Sequence, residues 1–375
     1  MESDFLAQEM QRFDPEASLE AARTPPASWY TDPRFLELER TTVFRRSWQA
    51  VGRIDQLPRA GSYFTGELLG EPFVVVRGSD GALRAFLNVC RHHAAQVCPG
   101  EEGCLTELTC PYHGWTYGLD GRLLRAPKLG RSEVFDRDGF GLVPIAVESW
   151  GPLVFVHLGQ KPASLRQELA ELERRLEASA FRELRFAQRK SYDLQCNWKV
   201  YVDNYLDGGY HVAHLHRGLA GQLDLKSYRT EIFPRLSIQS CAAPAEAAAG
   251  PEGDFPERIG QGALYAWIHP NFMINRYGSI MDTNYVLPLS HDRCRVVFDF
   301  FFDETEGAEA QDFIAKSVAA SHVVQEEDVG ISESVQRGLG SSAYDRGIYA
   351  PAFEAPMLHF HRLLARDLRG AGRPS

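Results

Sequence analysis

The 375-residue chain has no long apolar run, no block of basic residues and no tandem repeat. Nothing in it approaches the ~18–20 consecutive apolar residues of a membrane-spanning helix, so no membrane partner is expected. Lys and Arg number 40 against 50 Asp and Glu, a formal net charge of −10, which leaves no basic face for a phosphate backbone and excludes nucleic acid as the expected partner. The opening stretch MESDFLAQEMQRFDPEASLE is acidic and lacks an apolar core, unlike a secretory signal or an Arg-rich transit peptide, and the expected compartment is the cytoplasm. There is no convincing glycine-rich dinucleotide fingerprint, so electrons, if the chain uses them, must come from another protein. Cysteine is scarce, seven in all, and an odd set in a reducing compartment reads as ligands and thiols before disulfides.

Against that scarcity, one stretch stands out. CRHHAAQVCPGEEGCLTELTCPYHGW, Cys90 to Trp115, holds four of the seven cysteines and three of the twelve histidines. A chain of this length can bury two cores without a metal to staple it, so such a concentration of ligands points to function rather than scaffold.

The surroundings give the architecture. From Trp48 to Leu158, short alternating runs such as YFTGELL, PFVVVRG and PLVFVHL, broken by GSDG and GLDG turns, read as a small β domain. SLRQELAELERRLEASAFRELR then changes period: Leu165, Leu169, Leu172 and Leu176 recur at helical spacing, and Ser164 with Gln167 resembles a capping box. Beyond it a helix-like run covers Tyr201 to Leu215, strands are expected in ALYAWIHPNFMINRYG, MDTNYVLPL and CRVVFDFFFD, and a helix from about Gln311 to Leu339. CAAPAEAAAGPEGDFP, without periodicity, reads as a surface loop. The expected organisation is an N-terminal helical segment over 1–45 that packs on the catalytic domain, a β domain over 46–160 and a larger domain over 161–375. The fold class is α+β.

Cys90-Arg91-His92 and Cys110-Pro111-Tyr112-His113 each offer one thiolate and one imidazole. A structural zinc site could use two of each, but zinc loops tend to pair like ligands, whereas a Rieske [2Fe-2S] cluster needs two cysteines on one iron and two histidines on the other. The mixed pairs fit the Rieske demand. His93, Cys98 and Cys104 are left over, the two cysteines expected to pack under the cluster. Such a cluster moves single electrons and does no substrate chemistry, so a second centre is expected. NWKVYVDNYLDGGYHVAHLHRGL supplies candidates: His211, His214 and His216 with Asp203 and Asp207, a composition suited to mononuclear non-haem Fe(II). By helix geometry His211 and His214 share a face with Asp207 one turn before, and His216 converges only if the helix is distorted.

The two Rieske halves followed by NWK, DNY and the histidine pair resemble the catalytic subunit of the Rieske non-haem iron oxygenases. In that family the ligating histidines are five apart, which implies His211 and His216. The family's third ligand is an aspartate on a C-terminal helix, and VVQEEDVGISESVQRGLG matches it at Asp328, leaving the adjacent Glu327 as a solvated helix charge and His214 beside the site. The resemblance implies a small all-β Rieske domain and a catalytic domain of helix-grip type, an antiparallel sheet packed against helices. It further implies a homotrimer, O2 as co-substrate and an external ferredoxin or flavin reductase as donor. Electrons would cross between subunits from His92 or His113 through a bridging carboxylate three residues before the first histidine. That position is Gly208 here, so the bridge is expected at Asp207 with shifted geometry, or else at Asp203.

Within the family, PASWYTDPRFLELERTTVFRRSWQAVG, CPYHGWTYGLDGRL and EEDVGISESVQRGLGSSAYDRG look like the choline monooxygenase branch, which implies hydroxylation of a small quaternary ammonium compound. A trimethylammonium group is held well by aromatic faces, and Tyr265, Trp267 and Tyr285 are the expected substrate contacts. Aromatic ring dioxygenation is the alternative within the same fold.

Overall fold

The computed structural model describes residues 2–216, 223–243 and 262–370. Most of the expected surface loop in CAAPAEAAAGPEGDFP lies outside the described residues. Contacts gather into two units, one of residues 45–167 and one in which residues 1–44 join the chain from Glu168 onward.

The first unit is built on ten strands: β1 (Gln49–Arg53), β2 (Ser62–Leu68), β3 (Glu71–Arg77), β4 (Leu83–Leu87), β5 (Glu102–Cys104), β6 (Leu108–Thr109), β7 (Thr116–Tyr117), β8 (Leu123–Arg125), β9 (Pro144–Trp150) and β10 (Leu153–His157). Seven form an antiparallel sheet in the order β1-β10-β9-β4-β3-β2-β5, and β6-β7-β8 form a second, small one. The run PFVVV on β3 is apolar without alternation because both faces are buried. Val74 and Val76 join a core with Cys90, Cys110 and Trp115, while Phe73 and Val75 join another with Phe64, Val154 and Val156. The ligand-rich loops leave this scaffold after β4 and between β6 and β7.

The second unit opens with α1 (Glu2–Gln11), α2 (Ser28–Thr31) and α3 (Pro33–Thr42). Asp32 caps α3 by accepting the Arg34 N–H, with Pro33 in the first turn. Phe35, Leu36, Glu39 and Thr42, at helical spacing, are its buried stripe. Glu39 is buried only because Lys199 and the Trp198 indole meet its two oxygens at 2.6 and 2.7 Å. That contact ties the N-terminal segment to the helix bearing the NWK motif.

The leucine-spaced segment is not one helix. It divides at Leu169 into α4 (Leu165–Glu168) and α5 (Ala170–Leu176), although all four leucines are buried. In place of a capping-box pair, the Ser164 hydroxyl donates to the Glu148 carboxylate at 3.1 Å, the same oxygen accepts the Arg166 N–H at 3.4 Å, and the Gln167 N–H donates to the Ser164 backbone carbonyl at 3.1 Å.

The rest of the second unit is an antiparallel sheet of β11 (Arg185–Leu194), β12 (Arg229–Phe233), β13 (Leu236–Ala242), β14 (Gly262–Ile268), β15 (Phe272–Tyr277), β16 (Ile280–Ser290) and β17 (Arg293–Phe302), in the order β11-β17-β16-β15-β14-β13-β12. Helices α6 (Trp198–Tyr205), α8 (Ala308–Leu339) and α9 (Ala355–Arg369) pack on it, with the short α7 (Val212–Leu215) after α6. The fold is α+β, of helix-grip type. Among the described residues no helix is long and apolar enough to cross a membrane.

Candidate metal centres and cavity

The two Cys/His loops of the first unit close in the same way. The Cys90 N–H donates to Ala95 O and the Cys110 N–H to Trp115 O, both at 2.8 Å. Ala94 and Gly114 return N–H bonds to the carbonyls of Cys90 and Cys110 at 3.0 and 3.1 Å. Each loop passes through a positive φ at its fourth residue after the cysteine, +61° at Ala94 and +70° at Gly114, which lets five residues turn back on themselves. Cys90 and Cys110 are buried, the Cys90 sulfur 3.3 Å from the Tyr117 hydroxyl, whereas His113 is exposed and His92 half-buried. The His92 and His113 Nδ1 atoms face each other at 3.1 Å, and His92 stacks on Trp115 at 4.7 Å between ring centroids. Desolvation, with His93 and His113 alongside, holds His92 below the ordinary imidazole value, which suits a neutral ligand. Two inner thiols and two outer imidazoles are the donor set of a Rieske cluster. Cys98 lies in the same core and burial pushes its thiol up to about 12. Cys104 does not pack there, because edge strand β5 leaves it exposed.

In the second unit the helix expected through residues 201–215 ends at Tyr205. The chain turns through Gly208 (φ +71°) and Gly209 (φ +78°) before α7, so i, i+3 arguments across this stretch fail. A Cβ on Gly208 would sit 2.2 Å from the Phe353 carbonyl oxygen, which explains why no carboxylate stands there. Asp207 organises the turn. One oxygen accepts the Gly209 and Tyr210 N–H groups at 2.9 and 3.2 Å, and the other meets the His211 N–H at 2.9 Å and its Nδ1 at 2.6 Å. With Nδ1 held behind it, His211 directs Nε2 inward.

The turn brings His211 together with His216, which follows α7, and with Asp328 on α8, their donor atoms within 4.8 Å of one another. Asp328 lies on the stripe of α8 that includes buried Ile314, Val318, Ser321, Gln325 and Ser332, so helical period alone turns it inward. Its Oδ1 is 3.1 Å from His216 Nε2 and accepts from Asn204 at 2.7 Å. Two imidazole nitrogens and a carboxylate on one side, with an open cavity on the other, suit non-haem Fe(II). His214 is exposed and outside the group. Glu327 is not the solvated charge that its sequence position suggests: its Oε2 lies 2.6 Å from His216 Nδ1, backing that ring as Asp207 backs His211. Burial disfavours a charged His216, yet Asp328 and Glu327 together raise it above the ordinary imidazole value. Asp203 is engaged elsewhere, accepting from Tyr30 at 2.7 Å and paired with His361 Nε2 at 2.9 Å.

A cavity of about 110 Å³ opens on this group. Its floor is one face of the large sheet, where Gln239, Tyr265, Asn275 and Asp282 stand side by side on β13 to β16. α6 and α8 form its roof. Of the three aromatic residues expected to touch substrate, only Tyr265 lines it. Trp267 shares the face but lies farther along β14, where its indole packs on Phe360 of α9 at 5.3 Å and donates to Pro270 O. Tyr285 is one residue out of phase with Asp282 and Asn284, hence on the opposite face of β16, against Phe272. Tyr205, one of the aromatic residues in which the catalytic half is rich but not one of the three singled out, lines the cavity with Tyr201 one turn before it on α6; Tyr201 and Tyr228 line it without having been expected.

Residues 47–144 match the Rieske [2Fe-2S] domain and residues 181–370 the catalytic domain of the ring hydroxylating alpha subunit. The chloroplastic choline monooxygenase of Arabidopsis thaliana is 45% identical over 368 residues, 95% of this chain and 86% of that protein. The chain belongs to the Rieske non-haem iron oxygenases. The carnitine monooxygenase oxygenase subunit of Escherichia coli K12 is 33% identical, with 93% of this chain and 95% of that one aligned. Among solved structures, the quaternary ammonium Rieske monooxygenase CntA with L-carnitine superposes with a TM-score of 0.79 at 28% identity, over 93% of this chain and 97% of that one. The naphthalene 1,2-dioxygenase of Rhodococcus sp., at 20% identity and a TM-score of 0.80, shares the fold. As a member of this family, the oxygenase is an oxidoreductase with a [2Fe-2S] cluster and a mononuclear non-haem iron.

Proposed function

We propose that this Rieske oxygenase hydroxylates a small, choline-like quaternary ammonium compound. Cys90, His92, Cys110 and His113 hold the cluster, and His211, His216 and Asp328 hold the mononuclear iron. The observation that carries the substrate reading is the ring-lined cavity against the iron group. Tyr201, Tyr205, Tyr228, Tyr265, Tyr277 and Phe298 face the same space as His211, His216 and Asp328. Burial above all drives Tyr205 and Tyr228 well above the ordinary phenol value, so they present neutral π faces to a cation rather than phenolates. The relatives named for choline and carnitine oxidation support this reading.

When bound, the iron activates dioxygen with electrons relayed by the cluster. The chain's own residues orient and enclose. Asp207 and Glu327 fix the two imidazoles, Asn204 fixes Asp328, and the aromatic walls exclude water around the target carbon. Overall, one C–H becomes C–OH while O2, two electrons and two protons are consumed and one water is released; at an alcohol carbon the product is an aldehyde hydrate. The donor is an external ferredoxin or flavin reductase, and the compartment the cytoplasm, a reading supported by seven cysteines none of which is paired in a disulfide, although the plant relatives are named chloroplastic. The assembly is a homotrimer with electrons passing between subunits, supported by a CntA structure described in terms of inter-subunit electron transfer. Light scattering at the mass of three chains checks that state.

The substrate test is single turnover of pre-reduced enzyme with O2, which needs no particular donor. Choline should yield oxidised product, whereas its neutral carbon isostere 3,3-dimethylbutan-1-ol should need about tenfold or higher concentration, since one or two cation-π contacts contribute about 0.5–2 kcal/mol each. Better turnover of naphthalene than of either would overturn the reading.

A further inference from the structure

The floor of the cavity carries a charge that the aromatic walls do not explain. Asp282, on β16, is 1% exposed and lines the cavity with Asn275 and Asn284. A carboxylate that faces a buried cavity acts strongly on any charge that enters it, because the surroundings screen it little. Its neighbours set its direction. The Asn275 amide donates to Asp282 Oδ1 at 2.6 Å and to Asn284 Oδ1 at 2.9 Å, and its own oxygen accepts from the Tyr205 hydroxyl at 2.8 Å. Tyr205 thus fixes which way the Asn275 amide points, and the amide fixes the carboxylate on the cavity floor among the rings. Its field reaches those rings: after burial and neighbouring phenols, Asp282 is among the groups raising Tyr205.

We infer that Asp282 is the counter-charge of the substrate's quaternary ammonium group and selects substrates whose net charge is positive over those that also carry a carboxylate. The inference rests on the quaternary ammonium reading of this cavity and narrows it. A trimethylammonium group has no N–H and cannot hydrogen-bond, so it is recognised by π faces and by an undirected negative charge. Tyr205, Tyr265 and Asp282 supply both within one wall. A carboxylate on the ligand would enter a space already holding Asp282 and Asp328. Among the described residues lining the cavity, none is a lysine or arginine that would receive it.

The experiment is calorimetric titration of the oxidised holoenzyme, without electron donor, using choline, L-carnitine and 3,3-dimethylbutan-1-ol, on the wild type and on Asp282→Asn. Asparagine keeps the shape and can still accept from Asn275. The wild type should bind choline about tenfold or more tighter than either other ligand. The variant should lose about tenfold in choline affinity, hold 3,3-dimethylbutan-1-ol within about twofold, and bind L-carnitine as well as before or better. Equal weakening of all three ligands would reduce Asp282 to a structural partner of Asn275 and overturn the inference. If the variant does not fold or hold iron, the wild-type arm still decides: L-carnitine bound as tightly as choline overturns it. Naphthalene, titrated as a fourth ligand, binding where neither quaternary ammonium compound does would instead sink the reading beneath, a distinct outcome.

Discussion

At the scale of single residues, the iron site is organised by groups standing behind its ligands. Asp207 spends both oxygens on one turn, three backbone N–H groups and the His211 ring nitrogen. An amide at this position has one acceptor oxygen instead of two, so Asp207→Asn must leave either the backbone or the imidazole unsupported. The expected outcome is about 10–100-fold weaker iron binding at the mononuclear site with the Rieske spectrum intact, read by iron titration and visible absorption. Glu327→Gln should act the same way through His216 but more mildly, because it touches the ring alone. A variant of Asp207 that holds full iron and reduces normally yet fails to turn over would instead mark it as the electron bridge. His214→Ala should keep its iron, since its ring is exposed and outside the group.

At the scale of elements, what was legible in the sequence was what repeats with a period. The long helix ran where spacing placed it, and Asp328 fell on its buried stripe. The hairpin of β14 and β15 coincides with the run ALYAWIHPNFMINRYG to within one residue at its start. What was not legible depended on how one element meets another. Aromatic content nominated Trp267 and Tyr285 equally with Tyr265, but strand parity turns Tyr285 away and α9 claims Trp267. Periodicity extended a helix through residues 201–215 because two glycines do not by themselves announce a stop; the Phe353 carbonyl, 145 positions later, is what requires Gly208. That contact yields a test. Gly208→Ala combines a positive φ with a Cβ driven into a backbone oxygen, so it should destabilise the chain by more than ~1 kcal/mol and move His211. Thermal unfolding and iron content should fall together, whereas Gly70→Ala, also at positive φ but with open space around its Cβ, should cost stability without touching the mononuclear iron.

At the scale of the whole molecule, the two ligand sets belong to different compact units, and neither borrows a residue from the other: Cys90, His92, Cys110 and His113 all fall within residues 45–167, while His211, His216 and Asp328 all follow Glu168. Each unit has its own sheet and buried core, so neither set should depend on the other to form. Purified holoenzyme should therefore contain three irons and two acid-labile sulfides per chain, and the centres should be removable one at a time. His92→Ala should abolish the Rieske absorption and turnover yet retain one iron, and His216→Ala should lose that iron while the Rieske spectrum stays. In both, the far-ultraviolet dichroism should match the wild type, because the stripped ligands sit on turns rather than in the cores that hold the strands. Loss of both metals on either substitution would mean that the units fold and load as one, and stoichiometric zinc without sulfide would remove the Rieske assignment of the four loop residues altogether.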